Sequence, residues 1–443
     1  MKKILLSLSA VIASIIFVAC TAKEKEDVLE TEIEQQTTES DDNQPLDTDD
    51  NQLFDTVKFK PFVPIELTAM QQSKVSADNR FAFRMFRNVS EMNGENTFFS
   101  PLSLNMALGM LYNGASGETR TEMAKALGME DLTETQINEY YQRIRQALSE
   151  IDTQTGIDIA NSIWYRDRFS VKQPFIDVNQ TYFDALVKAI DFDNPEAAGI
   201  INAWCSEKTK GKINEIVTSP ISKDIMMYLI NALYFKGKWT SEFDKQNTKP
   251  DIFTKSDRQE QKVNMMEQVL YFPYYADQYV QCVERPFGNQ AFSMVFMLPA
   301  ENMSIEQLIE HLDDTAWQNI VDNMPWKEIQ LKLPRFKVEC ELPLNEPIAD
   351  TGMKRIFSGG FANISDNDLS VSQIKQKTYI KIDEKGAEAA AITIIQGVGL
   401  GGDDLPPPPP PIPFYANRPF LYLIKEKSTG VILFIGRMDN PEE

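Results

Sequence analysis

The feature that most restricts the fold is a long connection between two strand-like segments near the C-terminal end. It runs from Glu384 to Phe414 as EKGAEAAAITIIQGVGLGGDDLPPPPPPIPF and contains six consecutive prolines. Proline lacks a backbone N–H and has a fixed φ, so this run can neither continue a helix nor lie inside a sheet. Compact domains rarely carry so long a structureless connection without a function. The sequence therefore predicts a globular domain with a long exposed loop.

Hydrophobic periodicity predicts a mixed α+β domain over residues 59–443. Helices are predicted around Phe81, Met85, Phe86 and Val89, at 100–115 with Ser100 or Ser103 as N-cap, at 199–217 and at 304–314. Alternating or β-branched runs predict strands at 156–165, 185–192, 225–239, 290–299, 328–339, 377–384 and 430–438.

The N-terminal segment MKKILLSLSAVIASIIFVAC predicts a secretory signal peptide over residues 1–19. The ending FVAC resembles a bacterial lipobox, in which Cys20 is lipidated and becomes the new N-terminus. Phe17 stands where leucine is usual in that motif. The alternative is an ordinary cleaved signal that contains a cysteine.

Residues 20–58 predict a lipidated N-terminus followed by a disordered acidic tether. From Lys23 to Asp55 the chain has 13 acidic residues and two lysines, about half of the net charge of −21. We therefore expect a protein held at a bacterial outer membrane or cell surface by a lipid anchor alone, or released from it.

The composition argues against most enzymes and against nucleic acid as a partner. A net charge of −21 disfavours binding to a polyanion. His311, the single histidine, lies in a helical segment rich in acids, where a solvent-exposed position is expected. The remaining cysteines, Cys205, Cys282 and Cys340, have no zinc-ligand spacing and predict buried free thiols. We expect no catalytic residue, no metal and no cofactor.

Several segments in order resemble the serpin family of protease inhibitors. They are NTFFSPLSLNMALGMLYNGASGETRTEM at 96–123, INAWCSEKTKGKINEIV at 201–217, LINALYFKGKWTSEFDKQNTKPDIF at 229–253, IDEKGAEAAAITII at 382–395 and NRPFLYLIKEKSTGVILFIGRMDNP at 417–441. The resemblance implies three β-sheets, eight or nine helices and an exposed reactive loop at about 384–415. It further implies a single-use inhibitor: a protease cuts the loop, becomes acylated on it, and is carried along as the loop inserts into the central sheet.

The resemblance also assigns roles to individual residues. It implies a loop hinge at Glu384, Gly386, Ala387, Glu388, Ala389, Ala390, Ala391 and Thr393. It implies a polar cluster beneath the opening sheet at Ser100, Ser103 and Asn231, with Gln376 where the family usually has histidine, and an aromatic at the loop's entry point at Trp239. Core packing, and helix capping for the serines, are the alternatives for these residues.

The hinge sequence itself fits insertion as a strand. Residues 387, 389, 391, 393, 395 and 397 would share one face, and none of them is charged. Glu388 and Gln396 would lie on the other face, so a register shift of one residue would bury Glu388. The alternative is that GAEAAA forms a surface helix, because alanine and glutamate favour helices.

The resemblance to inhibitory serpins implies that the residue before the cut bond lies sixteen residues after the hinge acid Glu384, which gives Leu400–Gly401, with Val398–Gly399 as the alternate. The proline run lengthens the loop beyond that usual in the family. The apolar residues upstream indicate elastase-like, subtilisin-like or chymotrypsin-like target proteases, and papain-like cysteine proteases are an alternative.

Segment 136–150 lacks a basic helix face, so no heparin-type activator is expected, and a monomer is expected. The alternative function is that of a non-inhibitory serpin, a binding or scaffold protein at the cell envelope whose proline run is a ligand.

Overall fold

The structure is a computed structural model that describes residues 12–20, 61–94, 96–152, 155–386 and 409–442. For residues 12–20 the description is of the backbone. The described part of the chain contains nine α-helices and fifteen strands.

The helices lie mainly in the N-terminal half. They are α1 (Ala69–Asn93), α2 (Pro101–Tyr112), α3 (Gly117–Ala126), α4 (Glu134–Glu150), α5 (Gln173–Phe183), α6 (Ala197–Lys208), α7 (Ile305–His311), α8 (Asp314–Asp322) and α9 (Asn345–Asp350).

The strands begin at the N-terminal segment and end close to the C-terminus. They are β1 (Ile12–Cys20), β2 (Thr97–Phe99), β3 (Gly156–Arg166), β4 (Ala185–Ile190), β5 (Met227–Lys236), β6 (Lys249–Thr254), β7 (Glu260–Ala276), β8 (Val280–Phe287), β9 (Phe292–Pro299), β10 (Trp326–Pro334), β11 (Phe336–Pro343), β12 (Lys375–Ile382), β13 (Ile412–Tyr415), β14 (Phe420–Glu426) and β15 (Ile432–Met438).

A six-stranded central sheet has the order β11-β12-β1-β5-β3-β4. The other strands follow the order β13-β10-β7-β8-β9-β14-β15-β2, and β6 pairs with β7. The long strand β7 belongs to two sheets, because residues 265–273 pair with β10 and residues 274–276 pair with β8. The predicted α+β architecture with three sheets is confirmed.

Helix α2 lies at the centre of the core, and every one of its residues is buried. It packs against β5 of the central sheet and β15 of the second sheet. Its sequence PLSLNMALGMLY is apolar except for Ser103 and Asn105, and a helix that is apolar on nearly all sides is typical of a protein core. Helix α1 packs on α2 and buries the predicted residues Phe81, Met85, Phe86 and Val89.

Two predicted elements differ from the structure. The helix predicted at 199–217 ends at Lys208, because Lys210 and Gly211 take positive φ and the Thr209 hydroxyl accepts a hydrogen bond from the Ile213 N–H. The strand predicted at 328–339 is two strands, which meet at Arg335 as the chain passes from β10 to the central sheet.

The predicted state of the three cysteines is confirmed: Cys205, Cys282 and Cys340 are buried and free. Burial raises the pKa of the Cys340 thiol to about 11, so the thiol stays protonated at neutral pH. His311 is partly buried and stacks on Tyr279 with ring centroids 3.9 Å apart. Among the described residues, no helix has the length and apolar character needed to cross a membrane.

Candidate functional site

The candidate site is the middle of the central sheet, where β5 and β12 flank one strand position that we call the central slot. In the full chain the central slot holds β1, which pairs antiparallel with both neighbours. Ala13 lies opposite Tyr379 of β12 and opposite Tyr234 of β5. A segment that turns back from the end of β12 would enter the slot in this same direction.

The two flanking strands present a buried face to the core. On β12, Gln376, Thr378, Ile380 and Ile382 are buried, while the residues between them are half-buried. Strand β5 is buried on both faces, because the core lies under one face and the cluster around α6 covers part of the other. Any segment between these strands must therefore bury one face completely.

A buried polar network crosses under the slot at its midpoint. The Gln376 side chain accepts from the Ser100 N–H at 2.8 Å and donates to the Ser100 carbonyl at 3.0 Å. The Ser103 hydroxyl donates to the Asn231 side chain. Asn231 in turn donates to Asn161 at 2.7 Å. The structure thus brings together all four polar residues named from the sequence.

The N-terminus of α2 determines where the two serines lie. Ser100 is the N-cap, and its hydroxyl accepts from the Ser103 N–H at 3.2 Å while donating to the Leu433 carbonyl at 2.7 Å. Pro101 occupies the first turn, where no N–H is needed. Helix capping and the polar network are therefore combined in the same side chains.

Trp239 closes the top of the slot, just beyond the end of β5. The residue is 1% exposed, and its ring stacks on Phe287 with centroids 4.4 Å apart and ring planes 8° apart. Its indole N–H donates to the Asp383 carbonyl at 3.1 Å. The backbone just after β12 is therefore hydrogen-bonded to a side chain just after β5.

Arg285 supports this aromatic cluster from behind. Its guanidinium lies 3.7 Å from the Phe243 ring centroid and 4.5 Å from that of Trp239. It donates to the Ser241 carbonyl and to the Gln268 side chain. Burial lowers the pKa of Arg285 well below its usual range, since a buried cation loses its hydration. Stacking on aromatic faces compensates part of that loss.

Glu384 is held in a buried clasp at the hinge. Its carboxylate accepts from the Thr248 hydroxyl at 2.6 Å and from the Arg335 Nε at 3.0 Å. Burial alone would raise the pKa of this carboxyl, but hydrogen bonds from Arg335 and Thr248 lower it overall. The Glu384 carbonyl also accepts from the Phe243 N–H at 2.9 Å.

Gly386 is the last described residue at the N-terminal end of the predicted loop, and it pairs with residues just beyond the ends of both flanking strands. It forms antiparallel bridges to Asp383 and to Lys238. Its φ is +81°, and a Cβ there would lie 2.5 Å from the Trp239 nitrogen. Only glycine fits this position without displacing the backbone.

The C-terminal end of the predicted loop is anchored on another sheet. Strand β13 pairs parallel with β10, with Ile412 opposite Ile329. Pro409 and Pro410, which are separated from β13 by Pro411, are exposed. The two ends of the predicted loop are thus fixed on different sheets, at Gly386 and at Ile412.

Several of the sequence-predicted residues fall outside the described part of the chain. They are the hinge residues Ala387, Glu388, Ala389, Ala390, Ala391 and Thr393, and the residues of the predicted scissile bonds, Val398, Gly399, Leu400 and Gly401. Their assignment stays a prediction. The same holds for the acidic tether that follows Cys20.

Sequence reasoning missed the partners of the hinge acid. Arg335 is 49 residues and Thr248 is 136 residues from Glu384 along the chain, so no local pattern connects them. Asn161 and Arg285 were also missed. A weak signal existed for Arg285, because an arginine inside the β-rich run VQCVERPF must bury its charge or leave the strand.

Comparison with known proteins agrees with this geometry. The sequence profile of the Serpin (serine protease inhibitor) family matches residues 76–441. Iripin-1 of Ixodes ricinus is 30% identical over 397 residues, which cover 86% of this chain and 100% of that protein. Serpin I2 of Homo sapiens is 30% identical over 388 residues, covering 84% and 93%.

Solved structures agree as well. The thermophilic serpin Tengpin in its native state superposes with a TM-score of 0.74 at 27% identity, covering 87% of this chain and 97% of its own. Human thyroxine-binding globulin reaches a TM-score of 0.75 at 24% identity and shares the fold. The chain therefore belongs to the serpin family, whose members are generally protease inhibitors rather than enzymes.

Removing the charge of Glu384 tests the hinge clasp. We expect Glu384→Gln to lower the free energy of unfolding by about 1–3 kcal/mol at pH 7, because a charge-assisted hydrogen bond to Arg335 is weakened inside the protein. The lowered pKa of Glu384 means that its contribution is complete above the unfolded value of about 4.3 and is lost at lower pH. Urea unfolding between pH 3 and 7 measures the difference.

The matched control is Glu341→Gln, which removes a half-exposed carboxylate paired with Lys375 and Lys377. Solvent screens this pair, so its loss should cost less than about 1 kcal/mol. Equal losses in the two variants, or a Glu384→Gln loss that does not shrink below pH 4, would contradict the clasp.

Removing the amide of Gln376 tests the polar network. Gln376→Met keeps the approximate volume but leaves the Ser100 N–H and carbonyl without that partner, so we expect a loss of about 2–4 kcal/mol in unfolding free energy. Lys377→Met, one residue along on the opposite face of β12, is the control and should cost under about 1 kcal/mol. If both variants unfold at the same denaturant concentration, Gln376 is not needed to hold the network.

Proposed function

We propose that this serpin is a suicide inhibitor of serine endopeptidases with apolar specificity pockets, acting by loop cleavage, covalent trapping and strand insertion. The observation that carries the proposal is the position of Gly386. It bridges Asp383 and Lys238, which lie just beyond the ends of the two strands that flank the central slot, so a cut loop that continued these two ladders would enter that slot. A cut loop attached there can continue the existing ladders.

The two bridges of Gly386 define a register for the inserted loop. In an antiparallel ladder, three residues forward on one strand correspond to three residues backward on its partner. Ala389 would then lie opposite Ile380 and Phe235, and Ala390 opposite Tyr379 and Tyr234. The residues opposite Ala389 are buried and face the core, while Tyr379 is half-buried on the other face.

This register supports the face assignment made from the sequence. Ala387, Ala389 and Ala391 would face the core, and Glu388 would face away from it. Thr393 would lie opposite both Asn231 and Gln376, so its hydroxyl would meet the polar network rather than an apolar surface. Small residues enter such a sheet without the overpacking that costs about 1–3 kcal/mol.

The chemistry of trapping is acyl transfer. The serine hydroxyl of the protease attacks the carbonyl carbon of the scissile residue, here Leu400. The peptide bond to Gly401 breaks, the serine proton passes to the leaving amine, and an ester joins the protease to Leu400. Insertion at about 3.3 Å per residue then moves the ester over about 50 Å for 16 residues. The inhibitor gains ladder hydrogen bonds, which drive the movement.

The loop residues suggest the class of protease. Ile394, Ile395, Val398 and Leu400 are aliphatic, which suits elastase-like, subtilisin-like and chymotrypsin-like enzymes, and papain-like cysteine proteases as a second class. We propose in addition that Cys20 is lipidated and that the protein acts at a bacterial outer membrane or cell surface, which the lipobox-like FVAC supports.

A second function, binding without inhibition, is favoured by one observation. Pro409 and Pro410 are exposed next to the anchor strand β13, and proline-rich segments are ligands for aromatic grooves. In this case the loop would present the proline run to a partner at the cell envelope. Formation of a covalent adduct with a protease separates the two functions.

The covalent step is tested by mixing the chain from residue 21 with a neutrophil-type elastase. We expect an SDS-resistant adduct and a released fragment of residues 401–443, identified by its mass. A fragment of residues 399–443 would move the bond to Val398–Gly399. If elastase-, subtilisin- and chymotrypsin-type proteases all fail to form an adduct, inhibition is wrong and the binding function is favoured.

The predicted register is tested by placing arginine at two neighbouring alanines. Ala389→Arg would bury a charge beneath the sheet, which costs several kcal/mol, so insertion should slow and the protein should become a substrate. We expect the number of inhibitor molecules consumed per inactivated protease to rise about tenfold or more.

The matched control is Ala390→Arg, where the same substitution would lie on the opposite face beside Tyr379. This variant should inhibit nearly as well as the unmodified protein. The reverse result, with Ala390→Arg impaired and Ala389→Arg active, would show that the inserted register differs by one residue.

A further inference from the structure

We infer that the N-terminal strand β1 and the reactive loop compete for the central slot, so that the unprocessed chain cannot trap a protease until residues 1–19 are removed. This inference rests on the proposed loop insertion. Its basis is the backbone pairing of β1, which occupies the strand position that the inserted loop would need.

The register of β1 is the one that the Gly386 bridges would give to the inserted loop. Ala13 lies opposite Tyr379 and Tyr234. The ladders extended from Gly386 place Ala390 opposite these same two residues. The agreement holds for both flanking strands independently, because the bridges to Asp383 and Lys238 involve different neighbours. Each residue of β1 therefore occupies the backbone position that the loop residue 377 places later would take on insertion.

The direction and length of β1 also match. It runs antiparallel to both β5 and β12, as a loop returning from Gly386 must. Its nine residues reach from the level of Phe235 to that of Met227, beyond the polar network at Asn231. The loop residues at the same levels would be 389–397. Almost the whole inserted hinge is thus excluded while β1 is in place.

The edges of the flanking strands explain why β1 can pair in the central slot. The edges of β5 and β12 that face the slot carry backbone N–H and C=O groups, and an open sheet edge readily pairs with another strand. The sequence IASIIFVAC is apolar and rich in β-branched residues, which suits a central strand as much as a signal peptide. The same segment can therefore act as a signal peptide or as a central strand.

The position of Cys20 at the end of β1 would link occupancy of the central slot to processing of the N-terminus. β1 ends at Cys20, the residue that would become the new N-terminus after processing. Cleavage before Cys20 would remove all residues of the strand except Cys20 itself, and would free the slot. The folded precursor would then be inert as an inhibitor, and processing would make it active.

The test compares the full chain, made without membranes and verified by intact mass, with the chain from residue 21. We expect the number of inhibitor molecules consumed per inactivated elastase to be at least about tenfold higher for the full chain than for the chain from residue 21. Amide hydrogen exchange in Met227–Lys236 and Lys375–Ile382 should be slower in the full chain, because β1 pairs with both strands.

Two proline variants of the full chain serve as a matched pair. Ile16→Pro removes an N–H from the middle of β1 and should restore trapping and faster exchange. Leu5→Pro lies upstream of the strand and should leave the full chain blocked. Equal inhibition by the full and shortened chains, with equal exchange, would overturn the inference.

The exchange measurement separates this inference from the proposed function. If neither chain traps a protease but exchange still differs, loop inhibition is wrong, while β1 does occupy the slot. If the shortened chain traps and exchange does not differ, inhibition stands and the competition is wrong.

Discussion

The double bridge of Gly386 is the constraint on which the proposed insertion of the loop depends. One residue pairs with the end of β12 and with the extension of β5, at a φ that only glycine tolerates well. That geometry defines where the chain turns, in which direction it enters the sheet and which residues meet the core. The Glu384 clasp and the Trp239 hydrogen bond hold the two strands around this point.

Much of this arrangement could be predicted from the sequence. Apolar spacing predicted α1 and α2, and the alternation in KTYIKIDE predicted β12 with its buried face. Ser100, Ser103, Asn231 and Gln376 were named together because their motifs lie in separate segments that resemble one family, and they do meet beneath the central sheet. Their role in opening the sheet stays a prediction.

Other parts could not be predicted, for physical reasons. Arg335 reaches Glu384 only because the chain passes from β10 to β11 beside the hinge, which is a tertiary contact without a local signal. The segment Ile12–Cys20 was interpreted as a signal peptide alone, because a short apolar run has no periodicity that distinguishes a leader from a buried strand. Its pairing with β5 and β12 is known only from the fold.

If the central slot accepts the cut loop, the protein becomes more stable as a result. The most direct measurement is the thermal unfolding of the chain from residue 21 before and after one cut in the loop. About ten new ladder hydrogen bonds at roughly 1 kcal/mol each should raise the midpoint by about 10 °C or more. An unchanged or lower midpoint would mean that the loop does not insert, and would contradict inhibition by strand insertion.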